Sequence, residues 1–497
     1  MTRYYLGIDI GTFESKGCLV DESGTIVASA ARPHKMLVPQ AGRAEHRAEE
    51  DWWGDFTFIS KKLIAESRLN PADIKAVATS GIGPCMLPVD KNGAPLMNAV
   101  LYGVDTRAAK EIDELNAQIG VDRILDYCGN ALTSQSVGPK ILWLKKNHPE
   151  LFVQTHKILN CNSYLNFRLT GRYVIDHYSA SSSAPLYDPS NLCWSDELTK
   201  DIISLDKLPE CGWSTEIAGE ISKKAAGETG LAAGTPVTFG TIDAAAEAIS
   251  VGVLSPGDMM MMYGSTIFII ALTNARIRDA RLWYAPWLFP NQHASMAGLA
   301  TSGTLTHWFR DNFAKEMDVS TAASVLTKEA SASPPGANGL ITLPYFSGER
   351  TPIHDTSAKG MILGLNLTHT RADMFRSVLE GIAYGTHHVL QTFDELGEAP
   401  KNIFAVGGGT KNQVWSQATS DVSGKTQTLR EKSIGASYGN AFLAAMALGD
   451  VKANDIKVWN PVVAEIKPQP LTAAIYSKQY EMFRELYRRN KDLMHAL

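Results

Sequence analysis

One layout occurs twice in this chain, and it constrains the fold more than any other feature. YLGIDIGT (5–12) followed by KGCLV (16–20) reads as strand, Gly-Thr turn, strand. GDMMMMYGSTIFIIAL (257–272) reads as strand, Gly-Ser-Thr turn, strand. In the first copy Leu6, Ile8 and Ile10 alternate with Gly7 and Asp9, the two-residue period of a half-buried strand. The residues of the two copies differ but their order is the same, which predicts an internal duplication with one hairpin in each of two domains. The 497 residues, 44% of them hydrophobic, suffice for two cores.

Between and beyond the hairpins, strands and helices alternate, as in α/β proteins. A helix is expected near 49–66, with Trp52, Phe56, Ile59 and Leu63 on one buried face. A strand at 74–83 ends in a glycine turn. GTPVTFGTIDAAAEAIS (234–250) reads strand, short turn, alanine-rich helix. A long helix is expected over about 371–396, opened by a capping box of Thr370 and Asp373. IFAVGGGTKNQVWSQATSDVSG (403–424) reads strand, triple glycine, helix, with Gly424 as its stop. The expected domains are 1–250 and 255–450, divided near Ser255-Pro256-Gly257, with 451–497 as an extension packed on the second.

Charge and cysteine usage narrow the function classes. A net charge of −5 without a Lys/Arg-rich run offers no field for nucleic acid. Six scattered cysteines without a CxxC pair argue against a disulfide framework or a zinc site. The chain enters a strand with no signal-like segment, and its most apolar run, 259–272, is too short to span a bilayer. A cytoplasmic protein without membrane partners is expected. There is no HExxH pattern and no GxSxG elbow. GxGxxG after the first strand and GxxxxGK[ST] are also missing, which disfavours a dinucleotide fold and a P-loop.

Four groups of residues carry candidate chemistry. In the first hairpin Thr12 can donate to a phosphate oxygen and Lys16 can offset its charge. Asp9 beside a phosphate makes sense only with Mg²⁺ between them; otherwise it is a solvated strand-end carboxylate. Asp243 stands between a strand and a helix, where it either caps the helix or accepts a proton from a substrate hydroxyl. Ser265 and Thr266 in the second turn offer hydroxyls and backbone N–H groups, or simply good turn chemistry. The glycines at 407–409 permit close approach of a ligand, with Asn412 as a polar contact, or a tight strand-to-helix turn.

Taken together, these residues resemble the FGGY carbohydrate kinases of the actin-like ATPase superfamily, from about residue 4 to 450. GIDIGT matches the first phosphate motif and YGST the second. GMILGLNLTHTRADMFRSVLE (360–380) fits the longer family signature. FAVGGGTKNQVWSQATSDVSG resembles the adenosine loop, SGTLTHWFRD (302–311) a nucleotide-side segment and GASYGNAFLAAMALG (435–449) the final helix. KILWLKKN (140–147) fits the core of the first signature, although Val137 replaces the usual small hydroxyl residue or proline.

The resemblance implies two ribonuclease-H-like α/β domains facing a central cleft, with ATP and Mg²⁺ as cofactors. By carry-over Asp243 is the general base, and Asp9 and Asp243 serve the metal. Thr12, Lys16, Ser265, Thr266, Gly303, Gly408, Gly409 and Asn412 bind the nucleotide. Gly83 and Pro84, with Asp243, stand on the sugar side, where xylulokinases carry a Met-His pair; Glu45 and His46 are expected to help shape that side. The expected reaction is phosphorylation of a hydroxyl of a small carbohydrate, a pentulose such as xylulose or ribulose. A polyol or sugar-acid kinase, and a non-catalytic actin-like nucleotide-binding protein, remain the alternatives. The resemblance leaves a homodimer open.

Overall fold

The computed structural model describes residues 2–198 and 200–497. The chain divides into two compact units: 1–254 with 275–294 and 434–461, and 255–274 with 295–433 and 462–497.

The first unit is built on a seven-stranded sheet. Its strands are β1 (Tyr4–Ile10), β2 (Glu14–Asp21), β3 (Ile26–Pro33), β4 (Ile74–Gly81), β5 (Ile217–Glu220), β6 (Pro236–Thr238) and β7 (Thr241–Ile242). The order is β5-β6-β4-β1-β2-β3, with β7 also paired to β4. β1, β2 and β3 form an antiparallel meander, whereas β4 runs parallel to β1 and β6 parallel to β4. Leu6, Ile8 and Ile10 bury themselves in one core with Trp52, Phe56, Ile59 and Leu63. The last three lie on helix α1 (Gly54–Ser67). The i, i+3, i+7 spacing of Phe56, Ile59 and Leu63 makes one apolar face, and each such buried side chain contributes about 1.5–3 kcal/mol. Helix α2 (Asp243–Ser250) follows β7 directly.

The second unit repeats the plan. Six strands of its seven-stranded sheet are β8 (Asp258–Tyr263), β9 (Ile267–Thr273), β10 (His293–Leu299), β11 (Asn402–Val406), β12 (Gln427–Arg430) and β13 (Val462–Ile466), in the order β10-β9-β8-β11-β12-β13. β8 and β9 are antiparallel, β11 is parallel to β8, β12 parallel to β11, and β13 antiparallel to β12. That is the sequence of pairings seen for β1, β2, β4, β6 and β5. The duplication read from two short hairpins therefore extends over both sheets. Helices α3 (Gly303–Phe313), α4 (Arg371–Glu395) and α5 (Gln413–Ser423) belong to this unit. α4 opens with the Thr370–Asp373 capping box, and Gly424 closes α5 in a left-handed conformation.

The chain then returns to the first unit through helix α6 (Ala436–Ala447), in contrast to the expected linear stretch 255–450. A Cβ on Gly7 would fall 1.9 Å from the Ser437 carbonyl, and one on Gly439 would fall 1.8 Å from that of Ala246. Only hydrogen side chains let α6 lie this close to both β1 and α2. Residues 462–497 rejoin the second unit. None of the helices among the described residues is long and apolar enough to cross a membrane. All six cysteines are free.

Candidate active site

In the first unit the register of three strands assembles the acidic groups. Asp9 on β1 pairs with Ser80 on β4, and Ser80 pairs on its other side with Thr241 on β7. Two interstrand spacings separate Asp9 from Thr241, about 10 Å. Asp243 lies two residues beyond, as the first residue of α2. The sheet thus brings two residues far apart in sequence to one strand-end region, where open α/β sheets place ligands.

Asp9 is held by Ser80, whose hydroxyl donates to Oδ1 at 2.7 Å. Asn440 of α6 donates to the Ser80 Oγ at 2.7 Å and to the Ile8 carbonyl at 2.9 Å. Burial pushes Asp9 up to about 6, against the Ser80 hydrogen bond and the charge of Lys16. Asp243 is raised well above the usual carboxylate range, first by burial and then by the charge of Asp9. Among the described residues its Oδ1 accepts the Ala244 N–H, at 2.7 Å. Ile242, not Asp243, is the N-cap of α2, so Asp243 does not cap from that position, although its side chain does satisfy one first-turn N–H.

A third carboxylate belongs to the same field. Glu247 is one helical turn after Asp243, on the same face. Burial and the Asp9 charge push it up to about 7, while Lys16 pulls it down. Its carboxylate lies beside Gly435, the residue that leads into α6. The spacing of four was readable in the sequence, but nothing in it said that this face looks into a site. Among the described residues no three His, Cys, Asp or Glu side chains are grouped so as to hold a metal ion on their own.

Gly83 lies against the base of α2, since a Cβ there would meet the Ile242 side chain at 2.7 Å. Any larger residue would push on the segment carrying Asp243. Pro84 follows without an N–H to donate. Glu45 is occupied elsewhere: it takes Arg107 at 2.7 Å and Asn98 at 3.0 Å. His46 reaches the first hairpin, with Nε2 3.1 Å from the Thr12 carbonyl. Lys16 is half-exposed and pairs with Glu14 at 3.2 Å. Thr12 Oγ1 lies 3.4 Å from the Tyr102 hydroxyl.

In the second unit the Gly264-Ser265-Thr266 turn is gripped by the start of α3. Gly303 N–H donates to the Gly264 carbonyl at 3.1 Å, and Ser302 and Thr304 N–H donate to the Ser265 carbonyl at 3.2 and 3.1 Å. A Cβ on Gly303 would fall 2.4 Å from the Gly264 carbonyl. The Ser265 side chain is left exposed. Of the glycines after β11, Gly407 and Gly409 pack against Tyr263 and Trp415, whereas Gly408 faces open space. Asn412 serves the helix that follows it, because its Oδ1 caps α5 by accepting the Trp415 N–H at 3.1 Å.

Comparison with known proteins agrees with this geometry. Residues 4–250 match the N-terminal domain of the FGGY family of carbohydrate kinases, and residues 259–448 match its C-terminal domain. The chain is 29% identical over 500 residues to the xylulose kinase of Bacillus subtilis (strain 168), covering 100% of this chain and 99% of that protein. It is 25% identical over 466 residues to a gluconokinase of Bacillus licheniformis, covering 92% and 90%. The crystal structure of xylulose kinase from Rhodospirillum rubrum superposes with a TM-score of 0.93 at 30% identity, over 99% of this chain and 100% of that one. The chain belongs to the FGGY family of carbohydrate kinases.

Proposed function

We propose that the protein transfers the γ-phosphoryl group of ATP to a hydroxyl of a pentulose such as xylulose or ribulose. The observation that carries the reading is the strand register, in which Ser80 pairs with Asp9 on one side and with Thr241, two residues before Asp243, on the other. Asp243 takes the proton of the substrate hydroxyl. The hydroxyl oxygen forms a bond to the γ-phosphorus, and the bond to the β,γ-bridging oxygen breaks, leaving ADP with the electron pair. Burial serves this role, because a carboxylate with a raised proton affinity is a better base than a solvated one. Positioning and charge neutralisation supply most of the catalysis in such a transfer.

Asp9 and Asp243 are hard oxygen donors, and the charge of Asp9 raises the proton affinity of Asp243, so the pair suits a divalent cation. Two carboxylates with phosphate oxygens and water are a common environment for Mg²⁺, and the lack of a three-ligand protein cluster among the described residues fits that. When bound, Mg²⁺ neutralises the charge that develops on the phosphates. Thr12 and Lys16 in the first unit bind the nucleotide phosphates. Within the second unit taken by itself, Ser265, Thr266, Gly303, Gly408 and Gly409 are the candidate nucleotide contacts, with Asn412 holding α5 in place behind them.

The pentulose assignment draws on the similarity to xylulose kinases; the Gly83-Pro84 pair offers no side-chain donor to a sugar hydroxyl and does not itself favour a pentulose. The test is a panel of ketopentoses, polyols and sugar acids in a coupled ADP-release assay. Turnover is expected to be highest with a ketopentose. Preference for gluconate or glycerol would overturn the substrate class, and no turnover with any member would overturn the kinase reading.

A further inference from the structure

The first hairpin carries a feature that phosphate binding alone does not explain. Two histidines lie behind its turn with their rings edge to face, 4.9 Å apart. His34 Nε2 is 3.1 Å from the Gly11 carbonyl, and its Nδ1 is 2.8 Å from Asp55 Oδ2. His46 Nε2 is 3.1 Å from the Thr12 carbonyl, and its Nδ1 accepts the Trp52 indole N–H at 3.1 Å. The His34 backbone N–H also donates to the Phe13 carbonyl at 2.9 Å. Three successive carbonyls of the turn therefore point at this pair and the chain beside it.

The partners fix the protonation states. His46 accepts at Nδ1, so its one proton is on Nε2 and the ring is neutral. His34 stands between two acceptors, a carbonyl and a carboxylate that also accepts the Ser15 hydroxyl at 2.7 Å. Only a ring with protons on both nitrogens can donate to both. In a trans peptide the C=O and the following N–H point in opposite directions. Holding the Gly11 and Thr12 carbonyls toward the histidines thus turns the Thr12 and Phe13 N–H groups away from them, as a phosphate-binding turn requires.

We infer that His34 is a positioning residue: as the imidazolium it braces the phosphate turn through Gly11, so nucleotide affinity depends on its proton. This rests on the reading of the first hairpin as a phosphate site. Burial by itself would lower the proton affinity of His34, but the hydrogen bond and charge of Asp55, then the charge of Asp51 and the Gly11 carbonyl, outweigh it. The other charged or titratable neighbours are Arg32, 3.2 Å from Asp55 Oδ1, and His46, which burial and the His34 charge lower to about 4. The net shift is upward, so the brace is fully present below the ordinary imidazole value and is lost as pH rises through the higher folded-state value. A neutral His34 must then set a lone pair against either Gly11 or Asp55.

The test is MgADP affinity by calorimetry from pH 7 to 9.5, above the last phosphate protonation near about pH 6. Wild-type affinity is expected to fall about tenfold over this range. His34→Gln is expected to start about tenfold weaker and to stay flat, while His46→Gln weakens binding but keeps the slope. Nitrogen NMR of the wild type is expected to show one ring, absent from His34→Gln, doubly protonated at pH 7. A singly protonated His34, or identical pH profiles in wild type and His34→Gln, would overturn the inference. No MgADP binding at any pH would overturn both the inference and the phosphate-site reading. MgADP binding with this pH profile but no phosphotransfer would refute only the kinase reading.

Discussion

The two hairpins have the same place in the same sheet order, yet they are braced by different chemistry. The Gly11-Thr12 turn is held from behind by side chains, His34 and His46. The Gly264-Ser265-Thr266 turn is held by backbone N–H groups of residues 302–304 together with the Ser302 and Thr304 hydroxyls, none of which titrates. After a duplication the sheet kept its pairings, while the support for each turn was free to diverge. The first unit also carries the half-buried carboxylates Asp9, Asp243 and Glu247, and the corresponding turn of the second has none within it. One copy thus combines a turn with acid–base chemistry, and the other is a turn whose support does not titrate.

The sharpest way to break this division is Asp243→Asn. Sugar-dependent ADP release is expected to fall by about 10²–10⁴-fold, with ADP affinity retained by calorimetry; near-normal turnover would remove Asp243 from the base role. Next is Gly303→Ala. Its methyl would press on the Gly264 carbonyl, an overpacking worth about 1–3 kcal/mol, and nucleotide binding should weaken equally at pH 7 and pH 9. A loss confined to one pH would mean that the second turn also depends on a titrating group.

Asn440→Ala removes the donor shared by Ser80 and Ile8. A net loss of about 1 kcal/mol in urea unfolding is expected, accompanied by looser Mg-nucleotide binding; an unchanged denaturation midpoint would contradict the role of α6 as a support for Asp9. The smallest effect is that of Lys16→Ala, because this side chain is 45% exposed. Nucleotide affinity should drop severalfold and sugar affinity less, and the reverse order would contradict the placement of the first hairpin.

Much of this was legible because it depends on local periodicity. The alternation of Leu6, Ile8 and Ile10, the buried face of α1 and the Thr370–Asp373 box each follow from residues within one element. Asp9 and Asp243 were legible by motif, and the strand register supplied their convergence. What escaped depends on contacts across the chain. Asn440 reaches Ser80 over 360 positions, and no pattern near either residue announces the pair. His34 and His46 have no shared period, and only the folded turn shows that both rings end on adjacent carbonyls. Asn412 was readable as polar, but whether an N-terminal Asn serves ligand or helix is decided by where its Oδ1 points.

The return of α6 has a consequence for biosynthesis. When the ribosome has delivered the first 430 residues, every strand of the N-terminal sheet is already available, but the helix that covers Gly7 and supports Ser80 has not been made. The domain begun first is therefore completed only after most of the second has been translated, and the second is itself finished by residues 462–497. Until then a bare sheet face must be kept from wrong partners, and a message truncated before residue 434 would yield a nascent chain unable to mature at either end.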